Sequence, residues 1–100
     1  MTHKLVGGAA VVALLFTAAL CDLAEAAVCK STTVSALGNW AQTFAGARLS
    51  GRLAWKRAAR ARYGTKYDTW WLAADKSYGC WSYKGRERCR AKARPCRFGS

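Results

Sequence analysis

The sequence predicts a small disulfide-bonded α+β domain with the element order β-α-α-β-β, in which the helices cover one face of a three-stranded antiparallel sheet. Three observations support this fold class. Four cysteines remain once an N-terminal leader is set aside, one segment consists of good helix formers, and one segment alternates strictly between small and cationic residues. A domain of this size builds a core worth only about 3–5 kcal/mol, so covalent cross-links are expected.

Residues 1–26 have the layout of a secretory signal peptide. A lysine precedes the apolar run 5–20, and Ala24 and Ala26 supply small residues at the −3 and −1 positions of a cleavage site. The run is shorter than the about 20 residues that cross a membrane, so no membrane span is expected after cleavage. We therefore expect a secreted or periplasmic protein with a single cationic domain, residues 27–100.

The predicted compartment determines how the cysteines are interpreted. Cleavage removes Cys21 and leaves an even number, Cys29, Cys80, Cys89 and Cys96. In an oxidising compartment such a set predicts two disulfides. A zinc site is disfavoured because the four have no Cys-x-x-Cys spacing and the only histidine, His3, lies in the leader. Four cysteines allow three connectivities, and the sequence alone does not select among them.

Charge is the strongest functional signal. Residues 27–100 carry 16 lysines and arginines against 3 carboxylates, a net charge of +13. Such a surface attracts anionic polymers. An enzyme is not expected, because no histidine remains and Asp68, Asp75 and Glu87 are explained as helix and turn residues. The cysteines are expected to be oxidised, so neither an acid/base pair nor a nucleophile is evident, and no cofactor is expected.

The first half of the mature chain predicts one strand and one helix. Residues 29–37 are rich in Thr, Ser and Val and predict a strand that stops before Gly38. Trp40 and Phe44 follow in a connection, and we expect both to be core anchors rather than a binding platform. Residues 47–63 are rich in Ala, Arg and Leu and predict a helix. Gly64 is placed to end this helix in a left-handed cap.

A second helix is predicted directly afterwards. Residues 65–68 fit the acidic form of the capping box, and the helix should fade near Lys76-Ser77. An aromatic stripe recurs behind it at helical spacing, at positions i, i+3, i+4, i+7 and i+11. We expect this stripe to pack in the core; its members are Tyr67, Trp70, Trp71, Ala74 and Tyr78.

The final segment predicts a hairpin. Residues 88–94 alternate with a period of two, and a primed turn at Lys84-Gly85 would place Cys80 directly opposite Cys89. Cys29–Cys96 would then tie the first strand to the last, and Pro95 would end the hairpin strand. The predicted inner face holds Tyr78, Cys80, Ser82, Glu87, Cys89, Ala91 and Ala93. The predicted outer face holds the candidate polyanion-binding residues Trp81, Tyr83, Arg86, Arg88, Arg90, Lys92 and Arg94.

A pattern in the second half of the chain resembles short secreted proteins of alphaproteobacteria. It consists of Trp55, then Tyr63-Gly64-x-x-Tyr67-x-x-Trp70-x-x-Ala73, then Tyr78-x-Cys80, Cys89 and Pro95-Cys96. The resemblance implies a bacterial, periplasmic or exported origin and a compact disulfide-bonded domain. It assigns no functional residues.

Three functions compete on these observations. The favoured one is binding of an anionic envelope or extracellular polymer: an acidic polysaccharide, lipopolysaccharide or nucleic acid. Alternate arginines on a strand lie about 6.8 Å apart, and the aromatic side chains offer stacking surfaces. The alternative is a protein-interaction module, such as an inhibitor, effector or envelope accessory factor, with an acidic partner. A membrane-active role is disfavoured because arginines interrupt the apolar face of the helix. The non-functional interpretation is a solvated charged edge.

Overall fold

The computed structural model describes residues 27–99. These residues form five strands, one α-helix and two short 3₁₀ turns. In chain order they are β1 (Ala27–Cys29), β2 (Val34–Leu37), α1 (Phe44–Tyr63), the turns Thr65–Tyr67 and Trp70–Leu72, β3 (Ala74–Tyr83), β4 (Arg86–Arg94) and β5 (Cys96–Phe98). The predicted signal peptide lies outside the described residues.

The predicted α+β class is confirmed. β2, β4 and β3 form an antiparallel sheet in that order, with β4 in the centre. The helix α1 packs on one face of this sheet. β1 and β5 form a separate two-stranded antiparallel ribbon. Among the described residues, no helix is long and apolar enough to cross a membrane.

The hairpin forms in the predicted register. Lys84 and Gly85 both have positive φ, 51° and 76°, as a type I′ turn requires. Tyr83 therefore pairs with Arg86, and Cys80 faces Cys89, to which it is disulfide-bonded. The second disulfide joins Cys29 to Cys96 across the β1–β5 ribbon. Both disulfides suggested by the sequence analysis, Cys80–Cys89 and Cys29–Cys96, are therefore present.

The prediction of one continuous first strand is wrong. Residues 29–37 are divided into β1 and β2, with a bend at Ser31 and Thr32. The break lies opposite Pro95, which has no N–H to continue the β4 ladder. The Lys30 N–H instead donates to the Pro95 carbonyl at 2.8 Å, and the chain then enters β2.

The prediction of a second helix is also wrong. Residues 65–72 form only the two 3₁₀ turns, and from Ala74 onwards the chain is already β3. The hairpin continues its pairing with β4 as far as Ala74↔Arg94, through a bulge where Asp75 takes φ 54°. The carboxylate expected to cap a helix, Asp68, binds Arg60 of α1 instead. Tertiary pairing therefore overrides the helical spacing of the aromatic residues.

The aromatic stripe and the predicted inner face of the sheet are also less buried than expected. Trp70 is half-buried, but Trp71 is 67% exposed rather than part of the core. On the predicted inner face only the β4 residues Cys89, Ala91 and Ala93 are fully buried. Glu87 is half-buried, and the β3 members Tyr78, Cys80 and Ser82 are exposed. One helix covers less of the sheet than two would, and β3 extends beyond its cover.

Helix α1 begins three residues earlier than expected. Thr43 is its N-cap, and its hydroxyl accepts a hydrogen bond from Gly46 N at 3.0 Å. Phe44 is thereby brought into the first turn, where it is 45% exposed, so its predicted role as a core anchor is wrong. Gly64 ends the helix with φ 93° and ψ 175°, a region reserved for glycine, rather than in the left-handed helical cap that was expected.

The core is small and rich in alanine. Trp55 is completely buried, and its indole N–H donates to the Ala93 carbonyl of the central strand at 3.3 Å. Around it lie Val34, Ala59, Ala73 and Ala91. Because β4 presents small side chains inward, α1 lies close to the sheet, and all the bulky cations of β4 are directed to the opposite face.

Candidate polyanion-binding face

The candidate site is the sheet face opposite α1. The cross-strand pairs Tyr83↔Arg86, Trp81↔Arg88, Gly79↔Arg90 and Ser77↔Lys92 lie on it, and Arg94 extends the row. We call the seven predicted residues together, Trp81, Tyr83, Arg86, Arg88, Arg90, Lys92 and Arg94, the cationic face. The strict alternation of β4 causes this arrangement, since inward alanines and outward cations share one strand.

Two of the five cations also hold the fold together. Arg88 donates from Nε to the Gly38 carbonyl at 2.8 Å, which attaches the segment after β2 to the central strand. Arg94 donates from Nε to the Lys30 carbonyl at 2.9 Å. It also forms an ion pair with Asp75 at 3.2 Å, so part of its charge is neutralised. Both side chains are half-buried.

The other three cations are more available to a ligand. Arg86 and Lys92 are exposed, and within residues 27–99 neither forms a side-chain hydrogen bond or ion pair. Arg90 is half-buried and donates to the Ser35 hydroxyl at a long 3.3 Å. Its cross-strand neighbour Gly79 has no side chain, and a Cβ there would meet nothing within 4 Å, so the face is open at this position of β3.

An aromatic cluster of Trp40, Trp81 and Tyr83 lies at the turn end of the cationic face. The Trp40 ring is 6.2 Å from that of Trp81, edge to face, and 6.2 Å from that of Tyr83. The Arg88 guanidinium lies 5.4 Å from the Trp40 centroid. Trp40 was expected in the core; it is instead half-buried beside the cationic face.

Sequence reasoning missed Trp40 because no periodic pattern surrounds it. A single bridge between Ala41 and Glu87 places it, through N–H···O bonds of 2.8 and 2.7 Å in the two directions. This long-range pairing is invisible in the local sequence. Together with Tyr83, Lys84 and Arg86, Trp40 lines a cleft of about 310 Å³, in which ring faces and two cationic side chains are adjacent.

The carboxylates of the described chain are engaged in structural contacts. Asp68 is buried and binds Arg60 at 2.8 Å and Lys56 at 3.4 Å. Burial alone would raise the pKa of Asp68, but these two cations outweigh it and hold the pKa below its ordinary 3.8. Glu87 accepts a hydrogen bond from Ser82. In residues 27–99 no cluster of His, Cys, Asp or Glu has the composition of a metal site.

Comparison of the chain with protein-family models, with curated proteins and with solved structures found no match in any of the three. The resemblance to short secreted proteins of alphaproteobacteria therefore stays a prediction.

Proposed function

We propose that this protein is exported, loses residues 1–26, and binds an anionic polymer of the envelope or the extracellular space through the cationic face. The observation that carries the proposal is the row of outward cations on β4 beside the exposed aromatic cluster, on the side of the sheet that α1 leaves open. The role proposed is non-enzymatic. Two disulfides support the assigned compartment, since such bonds persist in oxidising environments.

The two parts of the site have different tasks in this proposal. The cations attract the polymer over the whole strand, and this attraction weakens as salt screens exposed charges. Trp81 and Tyr83, 42% and 60% exposed, provide flat surfaces on which a sugar ring or a base stacks. The cleft at Trp40 then favours polymers whose rings and anionic groups alternate at short distance.

The test compares two triple variants with the same change in charge. Arg86→Gln, Arg90→Gln and Lys92→Gln remove the cations of the face that make no contact with the backbone. Arg57→Gln, Arg62→Gln and Lys66→Gln remove three exposed cations from α1 and the following turn. Binding is measured against dextran sulfate, lipopolysaccharide and a single-stranded oligonucleotide, each at low and high salt.

We expect the face variant to lose at least tenfold in affinity for the preferred polymer, and the control to stay within about twofold of wild type. For the oligonucleotide, the plot of log affinity against log salt has a negative slope. The magnitude of this slope should decrease by about 2 in the face variant, because each lost phosphate contact contributes about 0.7 to it. Equal losses in both variants would show that net charge alone attracts the polymer, and would remove the cationic face as a site.

The acidic-protein alternative assigns a different task to the same exposed rings, Trp81 and Tyr83. Aromatic side chains of this kind dominate the energy of protein interfaces. A partner captured from periplasmic extract that survives high salt, and is lost with Trp81→Ala, would favour this function. A polymer that is displaced by salt favours the first.

A further inference from the structure

A groove runs along α1 on the side of the sheet away from the cationic face. Ala45, Leu49 and Leu53 repeat every four residues and form an apolar row on the helix. Leu49 and Leu53 are 48% and 46% exposed, so nearly half of each side chain is accessible to a ligand. The adjacent row, Arg48, Arg52 and Lys56, has the same spacing and is cationic.

The opposite wall is aromatic and fixed to the core. The Trp70 ring lies 5.2 Å from the buried Trp55 and 5.4 Å from Tyr78, so these rings form a continuous surface. Trp71, 67% exposed, continues this wall at one end. This wall exists because β3 extends past the cover of α1 and the second helix does not form.

Two cavities follow one another between these walls, of about 440 and 320 Å³, with Leu49 and Arg52 lining both. We call them together the helix groove. From position 45 to position 56 it extends about 16 Å at the rise of an α-helix. Partial burial raises the pKa of Tyr78 above 10.0 against the opposing effect of Arg52 and Arg48, the two cations that line the same cavity.

We propose that the helix groove binds one anionic amphiphile, an alkyl chain with an anionic headgroup such as a carboxylate or a phosphate. The chain lies along Leu49, Leu53 and the aromatic wall, and the headgroup pairs with Arg52 and its neighbouring cations. Asp68 does not repel it, because Arg60 and Lys56 already neutralise that carboxylate at 2.8 and 3.4 Å. The proposal does not rest on the cationic face.

Shape and charge favour this occupant over others. Two cavities of about 440 and 320 Å³ in single file suit a narrow, extended ligand. A flat membrane surface does not fill a concave channel. An amphiphile with a neutral headgroup would offer no counter-charge to Arg48 and Arg52, whereas an anionic headgroup complements them.

The test measures, by titration calorimetry, the binding of dodecyl phosphate to the exported, oxidised protein. The dodecyl phosphate is kept below its micellar concentration. We expect saturable binding of one molecule per chain. Dodecyl maltoside, with the same chain and a neutral head, should bind at least tenfold more weakly, and inorganic phosphate should not compete. Leu49→Ser with Leu53→Ser should weaken dodecyl phosphate at least tenfold. Both leucines are half-exposed, and circular dichroism verifies the fold.

Two control variants separate this site from the rest of the surface. Val28→Ser changes an exposed apolar residue elsewhere, and Arg86→Gln/Arg90→Gln/Lys92→Gln changes the cationic face; both should leave the affinity within twofold. Loss of dodecyl phosphate binding in the face variant but not in the leucine variant would overturn the proposal. So would equal affinity for dodecyl maltoside. Failure of dodecyl phosphate to bind, with leucine-dependent binding of an acidic amphipathic peptide, would overturn it in favour of a protein partner.

Discussion

Gly38 and Gly51 let α1 lie directly on the backbone of the sheet. A Cβ on Gly38 would be 2.4 Å from Gly51 N and 2.7 Å from the Ser50 carbonyl carbon. A Cβ on Gly51 would be 3.1 Å from the Cys89 carbonyl oxygen. These neighbours are backbone atoms that cannot rotate away. The helical glycine, unfavourable by about 1 kcal/mol relative to alanine, therefore allows the close packing around Trp55.

Gly38→Ala should destabilise the protein by about 3 kcal/mol, the upper part of the range for overpacked sites, because backbone must move to admit the methyl group. Urea unfolding measures the loss. Gly79→Ala is the matched control: a Cβ there meets nothing within 4 Å. It should be neutral or gain up to about 1 kcal/mol, since alanine loses less backbone freedom in a strand. Similar losses at both glycines would contradict the close approach.

Asp68 is the carboxylate whose charge should matter for stability. Its pKa is lowered in the folded state, although burial acts in the opposite direction, because Arg60 and Lys56 bind the ionised form. A folded pKa below the unfolded one means that this contribution is present above about pH 4 and is lost as pH falls through the folded value.

Asp68→Asn should cost about 1.5–3 kcal/mol at pH 7, the range for hydrogen bonds to charged groups. The difference in unfolding free energy between wild type and variant should shrink as pH falls below about 4, because wild type then loses the same charge. Asp75→Asn is the control, since Asp75 is an exposed partner of Arg94 and should cost less than about 1 kcal/mol. A gap that stays constant down to pH 2 would exclude this role for Asp68.

At the scale of elements, the β3–β4 hairpin and the β1–β5 ribbon are each closed by one disulfide. Cys80–Cys89 spans 9 residues within the hairpin, whereas Cys29–Cys96 spans 67 and encloses almost the whole domain. The hairpin has its own turn and ladder to maintain its register. The ribbon is only three residues long on each side, and it has no tight turn joining its two strands.

Cys29→Ala with Cys96→Ala should therefore cost more stability than Cys80→Ala with Cys89→Ala. Loop-closure entropy gives about 4 kcal/mol for the long loop and about 3 kcal/mol for the short one. Denaturant unfolding of the two double variants measures the difference. A larger loss from the hairpin pair would contradict the argument from loop length, since each disulfide contains one fully buried cysteine, Cys89 or Cys96.

At the scale of the whole molecule, small inward side chains and cationic outward ones divide the described domain into two sides. The cationic face lies on one side, and α1 with the helix groove lies on the other. The net charge of residues 27–100 makes the compact state repel itself, so the two disulfides and the closely packed core must offset that repulsion.

Export and the removal of residues 1–26 can be tested on the whole protein. Expression with residues 1–26 in a bacterial host should yield a periplasmic or secreted protein whose first residue is Ala27, as found by intact mass. Ala24→Lys with Ala26→Lys should block processing, because signal peptidase sites need small residues at −3 and −1. A mature protein that still begins at Met1 would contradict the proposed export.

The sequence alone determined the parts of the fold that rest on local rules. Strict alternation over residues 88–94 and the Lys84-Gly85 turn predicted the hairpin and a register in which Cys80 faces Cys89, because the side-chain period and the turn type together specify an alignment. The helix was also predictable from its composition, apart from its first turn. The outward row of cations followed from the same alternation.

Only the tertiary structure decided the features that depend on distant partners. The aromatic stripe does recur at helical spacing, but strand pairing of its last members, Ala74 and Tyr78, with β4 outweighed it, so a wall of the helix groove lies where a second helix was expected. The bridge between Ala41 and Glu87 brings the adjacent Trp40 into the aromatic cluster. In both cases the free energy of long-range contacts outweighs local conformational preference. Neighbouring residues in the sequence carry no information about those distant contacts.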